Sequence, residues 1–173
     1  MFFKPATVIL VAGILGAFAT PVARDTELIL LSSKLVPDGN LTIWGVPPSE
    51  ERNAISADNT AISKRCGSND VTCSSDHQAS RNVCNMLLSN LAASAGNGIS
   101  TSPRAICLSS SGDKCCVTWA SAVNGLTQGE LVDAASKIAQ VCGGSPLSGL
   151  ARNVNLNGVC TTECLSNRET GCD

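Results

Sequence analysis

Tyrosine is absent from the 173 residues, aromatic residues make up 3%, and histidine occurs once. Downstream of residue 65 the only aromatic is Trp119. A core in that part must be built from Val, Leu, Ile and Ala, which bury less area per residue than rings do. Some other source of stability is therefore required. The shortage of rings also leaves no aromatic platforms for sugar stacking, and the alternation around Trp119 places that residue in the core. A single histidine, His77, excludes two-histidine metal motifs. With 12 Lys and Arg against 14 Asp and Glu, the net charge is −2. No basic footprint for nucleic acid or anionic membrane is present. There is no Gly-x-Ser-x-Gly elbow to mark a nucleophilic serine. The longest apolar run, residues 7–19, is 13 residues, too short to span a bilayer.

What the chain does have is cysteine. All ten, Cys66, Cys73, Cys84, Cys107, Cys115, Cys116, Cys142, Cys160, Cys164 and Cys172, fall within residues 66–172. That density in a short chain indicates a disulfide scaffold made in an oxidising compartment. The N-terminus agrees with this. Lys4 precedes the apolar run, and Ala17-Phe18-Ala19 has the small-x-small form of a signal-peptidase site. Residues 1–19 are thus expected to be a signal peptide cut after Ala19. The product is expected to be extracellular, with no transmembrane segment once the signal is removed.

Residues 20–65 have a different composition and are read as a propeptide or N-terminal extension. Within residues 27–46 two apolar stretches flank Pro37-Asp38-Gly39-Asn40, a run with turn chemistry, so a β-hairpin is expected. Asn40-Leu41-Thr42 is a glycosylation sequon at that turn. Residues 47–65 read as a polar linker. It ends in Lys64-Arg65, a dibasic pair flush against Cys66 and a candidate convertase site. On that reading residues 66–173 are the cysteine-rich product. If no cleavage occurs, the hairpin is a permanent part of the fold.

Within the product, residues 70–73 read as a short extended stretch. From Ser75 the apolar positions Ala79, Val83, Met86, Leu87 and Leu91 keep helical spacing. Ser75 or Asp76 would cap the start, and Gly96-Asn97-Gly98 would stop it. Residues 104–120 read as a second hairpin. Thr127-Gln128-Gly129-Glu130 is a capping box opening a helix with Leu131, Ala135, Ile138 and Ala139 on one face and Cys142 in the stripe. Residues 152–157 alternate as a strand with one buried face, Asn157-Gly158 is a turn, and residues 159–165 suggest a further short strand. The order β-α-β-β-α-β predicts an α+β fold of split-βαβ type: a small disulfide-rich sandwich with two helices on one face of an antiparallel sheet. Neighbours in a strand point to opposite faces. Cys115 is therefore expected to face the helices and pair with Cys142 or Cys84. Cys116 is expected to point away and pair with a loop or tail cysteine.

The segments CGSNDVTCSS (66–75), CCVTWASAV (115–123) and LARNVNLNGVCTTECLSNRETGC (150–172) resemble the secreted, cysteine-rich fungal proteins labelled "WD-like", and GNLTIWGV (39–46) is similar to their upstream part. The label is a name only, since nothing in the chain resembles a propeller repeat. The resemblance implies no established activity and carries over no catalytic, cofactor or metal residue. A second resemblance, of topology and cysteine richness alone, is to the α/β-sandwich killer toxins of smut fungi, which act on calcium channels. Those toxins are basic. Here eight Asp and Glu face six Lys and Arg after residue 65, which argues against a channel-blocking role.

The remaining residues are weighed for chemistry in turn. His77 is expected in the first turn of a helix beside Asp76. A base-acid-cation set of His77, Glu163 and Arg81 can be assembled on paper, but no spacing requires it. Cys160-x3-Cys164 has a ligand-like gap that secretion turns toward disulfides. Glu130 is explained by the capping box, and Asp133 by a solvent face. Asn153, Asn155 and Asn157 form a row of amides and a possible binding face. The expectation is a non-catalytic secreted protein with no cofactor or metal, acting on a protein, glycan or cell-surface target in the manner of an effector, toxin or antimicrobial. The alternatives are a cell-wall-associated structural protein and, with least support, a small secreted hydrolase.

Overall fold

The structure is a computed structural model, and it describes residues 27–47, 66–101 and 103–170. Residues 1–26, which include the expected signal peptide and its expected cut after Ala19, residues 48–65 with Lys64 and Arg65, and Cys172 lie outside the described residues.

Three hairpins supply most of the sheet. β1 (Ile29–Val36) and β2 (Gly39–Gly45) are joined at Pro37-Asp38. β4 (Pro103–Ser110) and β5 (Asp113–Trp119) turn at Ser111-Gly112. β6 (Gly149–Leu156) and β7 (Val159–Ser166) turn at Asn157-Gly158. The last two turns hold both residues at positive φ, 53° and 87° in the first and 45° and 85° in the second. A two-residue turn that matches the twist of its strands demands this geometry, and glycine or asparagine supplies it cheaply.

The remaining elements are β3 (Asp70–Cys73), helix α1 (Arg81–Ala93), a 3-10 turn (Gln128–Leu131) and helix α2 (Val132–Val141). The capping box forms as expected. Thr127 donates both its amide and its hydroxyl to Glu130 Oε2, at 2.8 and 2.9 Å. Helix α1 begins later than its spacing predicts. His77 takes φ of +51°, which a right-handed helix cannot contain, and Ala79 exchanges both backbone hydrogen bonds with Leu147. Ala79 is buried as expected, but through that bridge. His77 therefore sits in an exposed loop and not in a helical turn.

The strands form one seven-stranded sheet in the order β1-β2-β4-β5-β7-β6-β3, and every neighbouring pair is antiparallel. The expected α+β architecture is present. The β5–α2–β6 crossover is a split βαβ unit with β7 between its strands. The β3–α1–β4 crossover is split more widely, by β5, β7 and β6. The last strand, β7, is thus central. β7 takes the place beside β5, and β3 moves to the edge. The β1–β2 hairpin is part of the same sheet, with β2 paired along β4.

Both helices pack on one face. Val83, Leu87 and Leu91 of α1 and Ala135 and Ile138 of α2 meet Ile106, Leu108, Val117, Trp119, Val154 and Leu165 in a single core. A smaller cluster of Ala105, Cys107 and Cys116, with Leu28 and Trp44 against it, lies on the other face.

The disulfides staple these layers. Cys84 of α1 joins Cys115 of β5, and Cys73 of β3 joins Cys142 at the end of α2, with Cα separations of 5.1 and 5.4 Å. Cys116 does point away from the helices. Its partner, however, is neither a loop nor a tail cysteine but Cys107, directly opposite on β4 with the Cα atoms 4.0 Å apart. Non-hydrogen-bonded neighbours in an antiparallel pair stand this close, so the nearest thiol on that face is on the adjacent strand. Cys164 is also disulfide-bonded. No helix among the described residues is long and apolar enough to cross a membrane.

Gly39 carries a test of how the hairpin is attached. Its φ is +147°, and a Cβ there would lie 2.1 Å from the Ser109 carbonyl oxygen of β4. Gly39→Ala is expected to cost about 2 kcal/mol. It should raise amide exchange in β1 and β2 while leaving α1 and α2 protected. Unchanged exchange in the hairpin would contradict the close approach.

Candidate functional site

The register of β3, β6 and β7 sets Thr72, Leu150 and Cys164 side by side on the sheet face away from the helices. At the ends of these strands the chain folds a rim around that row. Ser74 donates its amide to the Ser148 carbonyl at 3.0 Å, and Asp76 donates its amide to Ser74 Oγ at 3.0 Å. Asn167 donates its amide to the His77 carbonyl at 2.8 Å, which draws the segment after β7 over to the His77 loop. The result is a groove of about 470 Å³. Asp76, His77 and Arg168 line it together with Thr72, Ser74, Ser166 and Leu150. It offers a carboxylate, an imidazole, a guanidinium and several hydroxyls around one apolar side chain. Such a set is suited to hydrogen-bonding a polar ligand.

The other conspicuous group is on the opposite face. Glu163 lies on β7 between Trp119 and Ala151 in register and is fully buried. Neither carboxylate oxygen has a hydrogen-bond partner of acceptable geometry. Burial pushes this carboxyl well above its ordinary range. The Ala135 amide of α2 pulls it back in part, and the charge of Asp133 pushes it further up. A carboxylic acid held neutral under a helix is the outcome that desolvation favours.

Residues 50–172 match the family described as Fungal WD-like. The chain belongs to this family. No curated protein matches the chain, and no solved structure does. The WD-like match takes in β3 through β7 and both helices, and leaves the β1–β2 hairpin outside it.

Within the WD-like fold the residues expected from sequence fall in different places. His77 reaches the groove, but the set of His77, Glu163 and Arg81 does not assemble. Glu163 is on the helix side, and Arg81 donates to the Gly144 and Ala139 carbonyls at 3.0 and 2.9 Å, at the end of α2. Cys160 and Cys164 are not a pair of thiolate ligands, because Cys164 is in a disulfide. Cys107, Cys116 and Glu169 place ligand-type atoms within 4.8 Å of one another, but the two sulfurs form a disulfide and offer no thiolate.

The three asparagines do not form a row. Asn153 sits at a bulge with φ of 58° and donates to Asp70 Oδ2 at 2.8 Å. Asn155 accepts from the Gly158 amide at 2.9 Å, and Asn157 donates to the Asn124 carbonyl at 2.7 Å. Asn155 holds its own turn, while Asn153 and Asn157 tie β6 to the start of β3 and to the loop at Asn124. Asn40 is half-buried in β2 and accepts from Ser33 Oγ at 2.9 Å. The groove itself was not anticipated, since its parts come from β3, β6, β7 and two loops that only tertiary pairing unites.

Proposed function

We propose that this protein is a secreted, non-catalytic binding protein, of effector, toxin or antimicrobial type, and that the groove beside β3, β6 and β7 is its contact surface. The observation that carries this reading is the combination of polar lining and covalent bracing. Two of the lining residues are disulfide-bonded, Cys73 to Cys142 and Cys164. A site held rigid before its ligand arrives loses little freedom on binding. The disulfides are compatible with an extracellular setting. The hydroxyls and the Asp76, His77 and Arg168 side chains suit a hydroxylated or charged target such as a glycan or a polar protein surface.

The test is saturable binding of the labelled, oxidised protein to intact target cells and to a glycan panel. Leu150→Arg, which fills the groove, and Arg168→Ala, which removes its cation, are expected to weaken binding at least about tenfold, a loss on the scale of one charge-assisted hydrogen bond. Their melting temperatures should stay near wild type. His77→Gln should weaken binding only modestly, and no ligand should be consumed. Binding unchanged in both groove variants would overturn the assignment. Ligand turnover abolished by His77→Gln would make the protein a hydrolase, and groove-independent recovery in the cell-wall fraction would make it a structural wall protein.

A further inference from the structure

Among the described residues two cysteines, Cys66 and Cys160, carry free thiols. They are neither remote nor exposed on separate surfaces. Cys66 lies four residues ahead of β3, and the adjacent Gly67 donates its amide to the Asn153 carbonyl at 2.5 Å. That bond pins this part of the chain to the bulge in β6. Cys66 Sγ is 3.9 Å from the Val154 carbonyl oxygen. Cys160 is the second residue of β7 and lies opposite Asn155 of β6. The two thiols meet there, with a side-chain hydrogen bond between them, and both residues are half-buried.

β3 explains what a bond at this point would do. It has four residues, lies at the sheet edge and pairs with β6 alone. Strands this short and this poorly flanked open readily. Its C-terminal end is fixed by the Cys73–Cys142 bridge. Besides the Gly67–Asn153 backbone bond and Val71 against the core, its N-terminal side is held by three polar side-chain contacts: Asp70 with Ser68 and Asn153, and Lys137 Nζ with the Ser68 carbonyl. All three contacts are solvent-exposed and of the kind worth little in water.

We propose that Cys66 and Cys160 are oxidised to a disulfide, which closes the open end of β3 and clamps this edge strand at both ends. The chemistry is thiol–disulfide exchange with the active-site disulfide of an oxidoreductase in the secretory compartment. Burial, and then the neighbouring Cys66, push the Cys160 thiol up to about 11, which disfavours Cys160 as the first nucleophile. The Cys66 thiolate forms a mixed disulfide with one oxidoreductase sulfur and expels the other as a thiolate. Cys160 then loses its proton, attacks Cys66 Sγ and releases the oxidoreductase as a dithiol. Two electrons and two protons pass from the cysteine pair to the incoming disulfide, and one sulfur–sulfur bond replaces another. The inference is independent of what the groove binds.

The test uses the full chain secreted from a eukaryotic host, alkylated while denatured but unreduced, then digested and mapped by mass. The expected result is a Cys66–Cys160 cross-linked peptide with neither residue alkylated. Cys66→Ser, Cys160→Ser and the double variant should each lower the melting temperature by about 10 °C, the double no more than the singles. All three should speed amide exchange in β3 while leaving α1 unchanged. Quantitative alkylation of both cysteines, or a cross-link from either to a different cysteine, would overturn the proposal. So would single-variant losses that add up in the double variant.

Discussion

Replacing Cys115 with alanine is expected to lower the melting temperature by about 10 °C and to loosen α1 from the sheet. Cys84 and Cys115 are both fully buried and are the covalent tie between α1 and β5, 31 residues apart in sequence. In the chain-entropy description a loop of that length is worth roughly 3–4 kcal/mol, and the hole left by the lost sulfur adds about 1 kcal/mol. Each kcal/mol shifts the melting point of a domain this size by about 2–4 °C. Cys116→Ala should cost about half as much. Its bridge to Cys107 closes a separation of only 9 residues, inside a hairpin that Ser111-Gly112 already turns. Thermal and urea melts of the two secreted variants settle the comparison, with Cys84→Ala/Cys115→Ala as the control for mispaired thiols. Equal losses would mean that loop length does not rank these bridges. A loss under about 3 °C for Cys115→Ala would remove this bridge as the anchor of α1.

Glu163→Gln is expected to make the protein more stable at neutral pH and to flatten its pH dependence. The folded carboxyl titrates well above its ordinary value, while the unfolded one titrates near about 4.3. Between those two points the native state holds a proton that the unfolded state has released. Stability from this group is therefore complete below about pH 4 and falls by about 1.4 kcal/mol per pH unit as pH rises. It becomes flat above the raised folded value. Two groups on α2 bear on this carboxyl: the Ala135 amide offsets only part of the effect of burial, and the Asp133 charge adds to it.

Glutamine keeps the shape and removes the charge. The gain at pH 7 should be on the order of 1–3 kcal/mol, the usual cost of a buried group without partners. At pH 4 wild type and variant should coincide within about 1 kcal/mol. The Glu169 carboxyl works in the opposite sense. Partial burial alone would raise it, but the Lys114 ammonium bonded to it holds it below the ordinary range, so its contribution is lost on acidification. Urea melts from pH 4 to pH 8 separate the two effects. If Glu163→Gln follows the same curve as wild type throughout, the buried acid does not control the pH response.

What could be read from sequence was local. The Thr127–Glu130 box spans four residues and formed as written. Asn157-Gly158 gave its hairpin, and the alternation through Cys115 and Cys116 gave the correct faces. What escaped was settled by distant pairing. β7 belongs beside β5, more than forty residues upstream, and nothing near residue 160 announces it. Position 77 has helical neighbours by spacing, yet the Ala79–Leu147 bridge competes and wins.

Glu163 was within reach. Cys160-x3-Cys164 places both cysteines on one face of a strand, which turns Glu163 to the other face with Leu165. Helix-side burial of a carboxylate could have been argued from that alone. The groove could not have been, because Thr72, Leu150 and Cys164 become neighbours only through the register of three strands.

The β1–β2 hairpin, which the family match omits, has a consequence for handling the protein. β2 pairs along the outer border of β4 from Pro103 to Ser109, and β1 presents Ile29, Leu30, Leu31 and Leu35 to solvent in its place. A cut at Arg65 that also released the hairpin would turn a sheet of seven strands into one of five. It would bare the amides and carbonyls of β4 along the segment Pro103–Ser110. A raw border of that kind recruits strands from other chains. The hairpin thus covers a border that would otherwise be open to other chains, and preparations with and without it should be handled as two materials of different solubility.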